Sequence, residues 1–574
     1  MPAHLTVTLS DAIVVAGYFV LVLCIGLWFR KRLTNVREYF AGGNQIPWWM
    51  AGISHYMSSF SAFSFIAYAQ IGYMYGWVAI TLFWSTVPAC IAGGLLFARR
   101  WRRARVVTPV EFLETRYNAT LRQLFAWAGI PMKIFDDALK VFSTGLFISV
   151  ATGHTLSWSI VTCGVVMVAY SFFGGLWALV VTDYVQFLMK SLAILLIVPL
   201  ALHAAGGVRK AFAGLPPGFT SPVNGPYNWL YVVGFFCIMF VSYNASWSLA
   251  QKYYSVTDER AASKAAYLAA ALNLFGAPLM ILPAIIARHF LPDLTAGGRS
   301  ADTYVLLVMR LLPEGMVGII LAAMLSATMA AVSADFNAIA SVLTEDVYHR
   351  LIRGQASPRR LLSVGRWLTL ALGSITTLLS LWIVFSHREA LFGLMVTVFG
   401  LFMAPTLLPL LAGLTVRWVS ARGALFAFVA GLSTGIVMLV LKTYWKPAST
   451  IFGSSYGFEG ASLIMNTLMT MLGLVVGSFL WKRPRAEQDH VTRFFEKLDR
   501  PVLGEVVPTD AASSSGPVLA LSTLGVALLL GAAGAFSHSH FATLLDVGAS
   551  IVFAVIALSL HFYPFRRVVA DTLE

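Results

Sequence analysis

Asp183 is the residue of this chain best suited to hold a hard cation. It stands in Gly174-Gly175-Leu-Trp-Ala-Leu-Val-Val-Thr-Asp-Tyr-Val-Gln186, about eight residues into an apolar segment, with Thr182 and Gln186 beside it. Hard cations take oxygen ligands, and a carboxylate inside an apolar span is costly enough to point to function. An ion pair with a basic loop residue is the structural alternative. A second constellation, residues 326–337, reads Ser-Ala-Thr-Met-Ala-Ala-Val-Ser-Ala-Asp-Phe-Asn. Its small residues also suit a tight helix-packing face, and Asp335 needs a partner on either reading. Lys133, Asp136, Asp137 and Lys140 are spaced i, i+3, i+4 and i+7, so they stripe one helix face as two opposed pairs. Buried, the stripe holds a proton or orients a polar solute; near the inner interface its members simply satisfy one another. The fourth feature is Ser58-Ser59-Phe60-Ser61-Ala62-Phe63-Ser64, an uncharged polar run inside the apolar stretch 48–75. Bare backbone at membrane depth is tolerated only where protein or a wet cavity surrounds it. Discontinuous helices build the ion and solute sites of secondary transporters. The alternative is a continuous helix whose serines bond back to the preceding turn.

The elements that must position these groups are membrane helices. Of the 574 residues, 58% are hydrophobic and 11% charged, and mean hydropathy is +0.77, where a soluble chain carries about 25% charged residues. Apolar segments of roughly 20 residues recur from end to end, about fifteen in all. They fall near 9–29, 48–75, 77–98, 121–152, 155–173, 176–203, 227–250, 264–290, 314–345, 362–385, 388–413, 420–442, 460–481, 517–536 and 543–564. The first lacks a basic n-region and a cleavage site, so it reads as a retained helix. The chain divides into an N-terminal helix and inner loop (1–47), a transport core (48–415), peripheral helices (416–482), a cytoplasmic loop (483–516) and two additional helices (517–574). The loop contains Val491–Leu498, an amphipathic surface helix by its pattern.

The net charge of +14 is a topology signal and not a polyanion site. Basic clusters stand at Arg30-Lys31-Arg32, Arg99–Arg103, His349-Arg350 with Arg353, Arg359-Arg360, Arg417 with Arg422, Lys482-Arg483 and Arg566-Arg567. They fall at alternate ends of successive spans, the positive-inside pattern, which places the N-terminus outside and the C-terminus in the cytoplasm of a multi-pass cell-membrane protein. Lipid is the expected surrounding and nucleic acid is not a partner; nothing in the sequence speaks to oligomeric state. Cys24, Cys90, Cys163 and Cys237 lie far apart in apolar segments, as core filler, with neither disulfide nor zinc spacing. Gly431-Leu-Ser433-Thr-Gly435 matches a nucleophile elbow but lacks a strand–turn–helix context, so it reads as helix packing. No HExxH, P-loop or dinucleotide fingerprint occurs. A membrane-embedded enzyme or a non-transporting sensor is the reading from another class.

Several fragments, in order over roughly residues 10–500, resemble the sodium/solute symporter family of sodium–glucose and sodium–sialate cotransporters. They are Arg37-Glu-Tyr-Phe-Ala-Gly-Gly43 with Pro47-Trp-Trp49, Ser58–Ala62, Thr108-Pro-Val-Glu-Phe-Leu-Glu-Thr-Arg-Tyr117, Gly174–Asp183, Gln251-Lys252-Tyr253, and Asn337 ahead of Thr344-Glu-Asp-Val-Tyr348. The resemblance implies an all-α, LeuT-like core of five plus five inverted helices with extra flanking helices. It implies a cation-coupled symporter of a small polar solute, with Na+ as coupling ion and no other cofactor; a proton-coupled transporter or a uniporter is the alternative.

Site residues follow from the resemblance only where register holds. The central sodium site uses backbone carbonyls that fall on Met57 and Phe60, with a third on Ala327, and two hydroxyls that fall on Ala330 and Ala331. Two missing hydroxyls weaken that site. The second cation site keeps its carboxylate on Asp183 and a hydroxyl on Ser333, and no transition-metal site is implied. Asp335, Asp136 and Asp137 are candidate coupling or proton-carrying carboxylates. The solute-binding positions of galactose-transporting members fall on Phe63, Phe83, Ser64, Asn273 and Met239. The arginine that holds the sialate carboxylate falls near Asp136, which argues against an acidic solute. A neutral sugar or polyol bound by Ser59, Ser64, Thr86, Asn273 and Thr397 with aromatic stacking is the expectation.

Overall fold

Polar caps start the helices. Asn118, Asn228 and Asp258 each accept hydrogen bonds from backbone N–H groups in the first turn of the helix that follows, which satisfies donors that lipid would leave bare. The computed structural model describes residues 9–30, 36–294, 299–312, 317–352, 354–386, 391–445, 451–480, 484–502, 510–536 and 540–562. The clusters at Lys31-Arg32, Arg353, Lys482-Arg483 and Arg566-Arg567, and the C-terminus, lie outside the described residues.

In chain order the main helices are α1 (Leu9–Arg30), α2 (Trp48–Ser58) and α3 (Ala69–Tyr75). The span α4 (Val78–Arg103) follows, then α5 (Ala119–Thr152), α6 (Leu156–Ala204), α7 (Trp229–Ala245), α8 (Trp247–Tyr254) and α9 (Glu259–Ile286). The second half holds α10 (Val317–Val342), α11 (Pro358–Ser386), α12 (Leu391–Thr415), α13 (Ala421–Tyr444) and α14 (Ser455–Phe479). Last come α15 (Arg485–Asp499), α16 (Asp510–Phe536) and α17 (His540–Phe562). Helix α6 is two helices joined at Gly175, whose φ of 62° and ψ of 178° interrupt the ladder. Glycine reaches that conformation without the Cβ clash other residues meet.

Nine helices among the described residues are long and apolar enough to cross a bilayer, or ten if the α7–α8 pair, bent by 48°, is one span. The expected count of about fifteen is therefore not confirmed. The remaining apolar segments are helical but depart from an uninterrupted span for identifiable reasons. Segment 48–75 is broken, α5 carries its charged stripe, and Leu156–Phe172, Gly516–Ala532 and Val547–His561 are short.

Helix α10 is buried along its whole length and packs against α1, α2, α5, α6 and α8, so it is the axis of the bundle. Its run of alanines permits that closeness, because small side chains let neighbouring backbones approach. The C-terminal helices α16 and α17 pair with each other, and α16 lies on α1 and α6. Helix α15 extends the amphipathic stretch 491–498; Val491, Phe494, Phe495 and Leu498 are buried. The cysteines are not uniformly core filler: Cys90 and Cys163 are buried, but Cys24 is exposed on α1 and Cys237 half-buried.

Candidate solute and cation sites

Helix α2 ends at Ser58, and the chain is non-helical through Ser59–Ser61 before helix resumes at Ala62. The freed backbone groups find specific partners. The Met57 carbonyl accepts from the N–H of Ser59 and, at 3.1 Å, from that of Phe60. The Ser59 hydroxyl donates to the Tyr56 carbonyl at 2.8 Å. Across the break, the Ala62 N–H donates to Thr328 Oγ1 of α10 at 2.8 Å, and the Thr144 hydroxyl of α5 donates to the same oxygen at 2.8 Å. Thr328 thus replaces the acceptor that a continuous helix would supply. The sequence reading missed it because one threonine in a small-residue run looks like packing.

The break lines a cavity of about 100 Å³. Ser58, Ser59, Ser61 and Ser64 face it with Thr86, Ser242, Ser246 and Ser248, while Phe63, Tyr68 and Phe83 supply aromatic surface. Tyr68 and Phe83 meet edge to face with centroids 5.0 Å apart. The expected residues Ser59, Ser64, Phe63, Phe83 and Thr86 therefore share one wall, with Met239. Two expected residues do not join them. Thr397 lines a separate cavity with Lys442 and Glu459, because α12 turns Met395, Phe399 and Met403 toward the main cavity and about 100° per residue carries 397 to the other side. Asn273 is buried on α9 away from the cavity, its amide donating to the Ala269 carbonyl one turn back at 2.8 Å.

The charged stripe of α5 forms the opposite wall. Lys140 Nζ lies 2.9 Å from Asp136, 3.0 Å from Asp137 and 2.7 Å from Asp335 of α10, and Lys133 lies 2.8 Å from Asp335. Lys133, Asp136 and Lys140 reach the cavity; Asp137 and Asp335 are buried behind them. Asp335 is therefore held in the network of the α5 lysines. It stands two residues after Ser333, on the other side of α10, where the lysines of α5 neutralise it.

Asp183 is buried and accepts a hydrogen bond from the Ser54 hydroxyl of α2. Its Oδ1 has no hydrogen-bond partner, nor has Gln186 Oε1. Tyr170 hydrogen-bonds Thr182 and reaches Ser333, so Ser333 belongs to the same polar cluster through that ring. The basic group in electrostatic reach is Lys252 of α8, a buried helix residue and not the loop residue considered above. Unpartnered carboxylate and amide oxygens beside hydroxyls are the donor set a sodium ion takes. The central set fits less well. Ala330 and Ala331 bring no side-chain oxygen, the Met57 carbonyl already accepts two N–H groups, and the Ala330 carbonyl faces the Ser333 hydroxyl at 3.4 Å.

The fragments scattered along the sequence meet at the base of this arrangement. Gln251 donates to the Phe40 carbonyl at 2.6 Å and to Asn337 Oδ1 at 2.8 Å. Beyond them lies an ionic network. Arg122 of α5 bridges Glu114, at 2.8 Å, and Asp346, while Arg350 pairs with Glu114. Burial alone would raise the Glu114 pKa, but hydrogen bonds from Arg350 and Arg122, with their charges, hold it below the usual carboxylate value. Helix α15 docks on the same end: Arg103 and Arg105 donate to the Leu498 and Pro501 carbonyls at 3.3 and 3.0 Å, and Arg417 pairs with Asp499 at 2.9 Å.

Known proteins resemble this chain over most of its length. The sequence profile of the Sodium:solute symporter family matches residues 39–431. The sodium/sialic acid symporter SiaT of Proteus mirabilis (strain HI4320) is 23% identical over 467 residues, covering 79% of this chain and 92% of its own. The sodium/mannose cotransporter SLC5A10 of Bos taurus is 25% identical over 586 residues, covering 93% and 97%. Sodium/glucose cotransporter 4 of Mus musculus is 28% identical over 484 residues, covering 76% and 70%. A solved substrate-bound, outward-open Na+-coupled sialic acid symporter superposes with a TM-score of 0.70 at 20% identity, over 83% of this chain and 98% of that one. The two share their fold.

Proposed function

The chain belongs to the Sodium:solute symporter family, and from that premise we propose that it couples inward sodium movement to uptake of a small neutral polar solute, a sugar or polyol. The observation that carries this reading is the break at Ser59–Ser61 opening onto a hydroxyl-lined cavity. Hydroxyls and aromatic faces suit a solute with many hydroxyls and apolar ring edges. The charges on the opposite wall argue against an anion. Lys133 and Lys140 are paired to carboxylates, and with Asp137 and Asp335 buried behind them the network of three carboxylates and two ammoniums carries a formal charge of −1.

Sodium binds at Asp183 in this reading, with Ser333, Thr182 and Gln186 as oxygen donors nearby. The Ser54 hydroxyl links Asp183 to α2, so the charge state of this cluster acts on the helix whose C-terminal end forms the cavity. A cation that binds one conformation better biases the equilibrium by that difference in affinity. Rocking of one helix bundle against the other then exposes the solute site to alternate sides. The basic end of the bundle, where Arg103, Arg105 and Arg417 meet α15 and its C-terminal flank, faces the cytoplasm by the positive-inside rule, with the N-terminus outside and the C-terminus inside.

The test is uptake by the purified chain in proteoliposomes, with labelled neutral sugars, polyols and sialate under separate sodium and proton gradients. Concentrative uptake of a neutral solute under the sodium gradient supports the reading. Uptake confined to sialate or to the proton gradient overturns it.

A further inference from the structure

The arrangement described so far has no use for Lys190. It lies on α6 two turns beyond Asp183, is 1% exposed, and its Nζ has no hydrogen-bond partner. The side-chain nitrogen sits instead 3.7 Å from the ring centroid of Tyr56 and 3.7 Å from that of Phe60. Those rings are themselves in contact, with centroids 5.5 Å apart, and they flank residues 57–59, where α2 stops. Cation–π attraction offsets only part of the cost of taking an ammonium out of water. Shape alone would be served better by methionine, so an amine at this spot needs its own reason.

The end of α2 supplies one. The last turn of a helix carries partial negative charge and carbonyls without intrahelical donors, and in broken-helix transporters such ends and unwound carbonyls hold the coupling cation. A dissolved cation arriving here would find a thin oxygen shell. Across the break α10 presents Thr328, whose hydroxyl is already engaged by Ala62 and Thr144, and Ala327, Ala330 and Ala331, on which the resemblance places the remaining ligands, bring no side-chain oxygen. A tethered ammonium needs no such shell to stay in place. The oxygen ligands are missing and a covalently held charge is present at the same helix end.

We propose that Lys190 is the resident cation of the break: its ammonium serves the C-terminal end of α2 where a dissolved sodium ion would otherwise bind, leaving the Asp183 cluster as the exchangeable sodium site. The proposal rests on the reading of the chain as a cation-coupled transporter and sets its stoichiometry at one sodium per cycle.

Equilibrium dialysis of labelled sodium against the purified full chain in detergent separates the two claims. The wild-type chain is expected to bind one sodium and Asp183→Asn none. Lys190→Met with Ala330→Ser and Ala331→Ser, placed on the Asp183→Asn background, is expected to regain one, and the same variant carrying Lys190→Arg to regain none. Two sodium ions bound per wild-type chain would overturn the Lys190 proposal and leave sodium coupling standing. No sodium on the wild type, with one gained by the Lys190→Met combination, would overturn the Asp183 assignment alone. A combined variant that elutes as a folded, monodisperse species and binds no sodium overturns the Lys190 proposal; should it fail to fold, the wild-type stoichiometry decides.

Discussion

Replacing Lys140 by methionine removes the cation that three carboxylates share at 2.7 to 3.0 Å. Lys133 is then the remaining ammonium of the network. Its charge, three carboxylates against two ammoniums, goes from −1 to −2. Breaking one partner out of a buried ion pair costs roughly 3–5 kcal/mol. Asp136 is partly open to the cavity and loses less, whereas Asp137 and Asp335 are fully enclosed, so the expected loss is about 3 kcal/mol, on the order of a hundredfold in the folded ratio. Adding Asp137→Asn returns the network to −1 and should recover about half of that loss, as expected for directly coupled neighbours. Denaturant titration in detergent, followed by tryptophan fluorescence, measures both values. A single-variant loss below about 1 kcal/mol, the scale of an exposed pair, or a double variant no more stable than the single, would refute charge pairing as what holds this wall.

Ser64→Leu pushes a side chain into the cavity and should raise the KM for the transported solute at least about tenfold, a loss of roughly 1.4 kcal/mol. Thr397→Val should leave KM and kcat within about twofold, because that residue faces the separate Lys442–Glu459 cavity; uptake kinetics on the two variants distinguish these cases. Thr328→Val strips the acceptor from the Ala62 N–H and the Thr144 hydroxyl and should cost about 1–3 kcal/mol in a denaturation midpoint, with Thr328→Ser recovering most of it. Because the folded pKa of Glu114 is lowered, its contribution to stability is full above the unfolded carboxylate value of 4.5 and is lost as pH falls through the folded value. Thermal midpoints of Glu114→Gln should therefore lie below wild type at neutral pH and converge with it under acid; a constant offset would contradict that sign.

The helical fold was legible because membrane spans are written in composition and length, and the break at 59–61 because serines interrupt an apolar run without a charge to explain them. Asp183 stood out because a carboxylate interrupts an apolar span, and the structure buries it beside Ser54. What composition and spacing along one helix do not carry is which faces meet. The lysines of α5 were read as pairing within their own stripe, and nothing in the spacing says that Asp335, some two hundred residues on, completes the set. Thr397 was misplaced by helical phase: the apolar residues two before and two after it, Met395 and Phe399, hold the cavity face. Lys190 escaped notice because a single lysine in an apolar span reads as an interfacial anchor until the rings of Tyr56 and Phe60 are seen around it.

Sodium-driven accumulation by Asp183→Asn, set beside the wild-type chain in the same proteoliposomes, addresses the central claim directly. With an inward sodium gradient, the wild-type chain should concentrate its neutral solute above the equilibrium level. Asp183→Asn, inserted to the same extent, should bring the solute only to equal concentrations inside and out. Normal accumulation by Asp183→Asn with full sodium dependence would contradict the account and move the coupling ion away from the Ser54–Asp183 cluster.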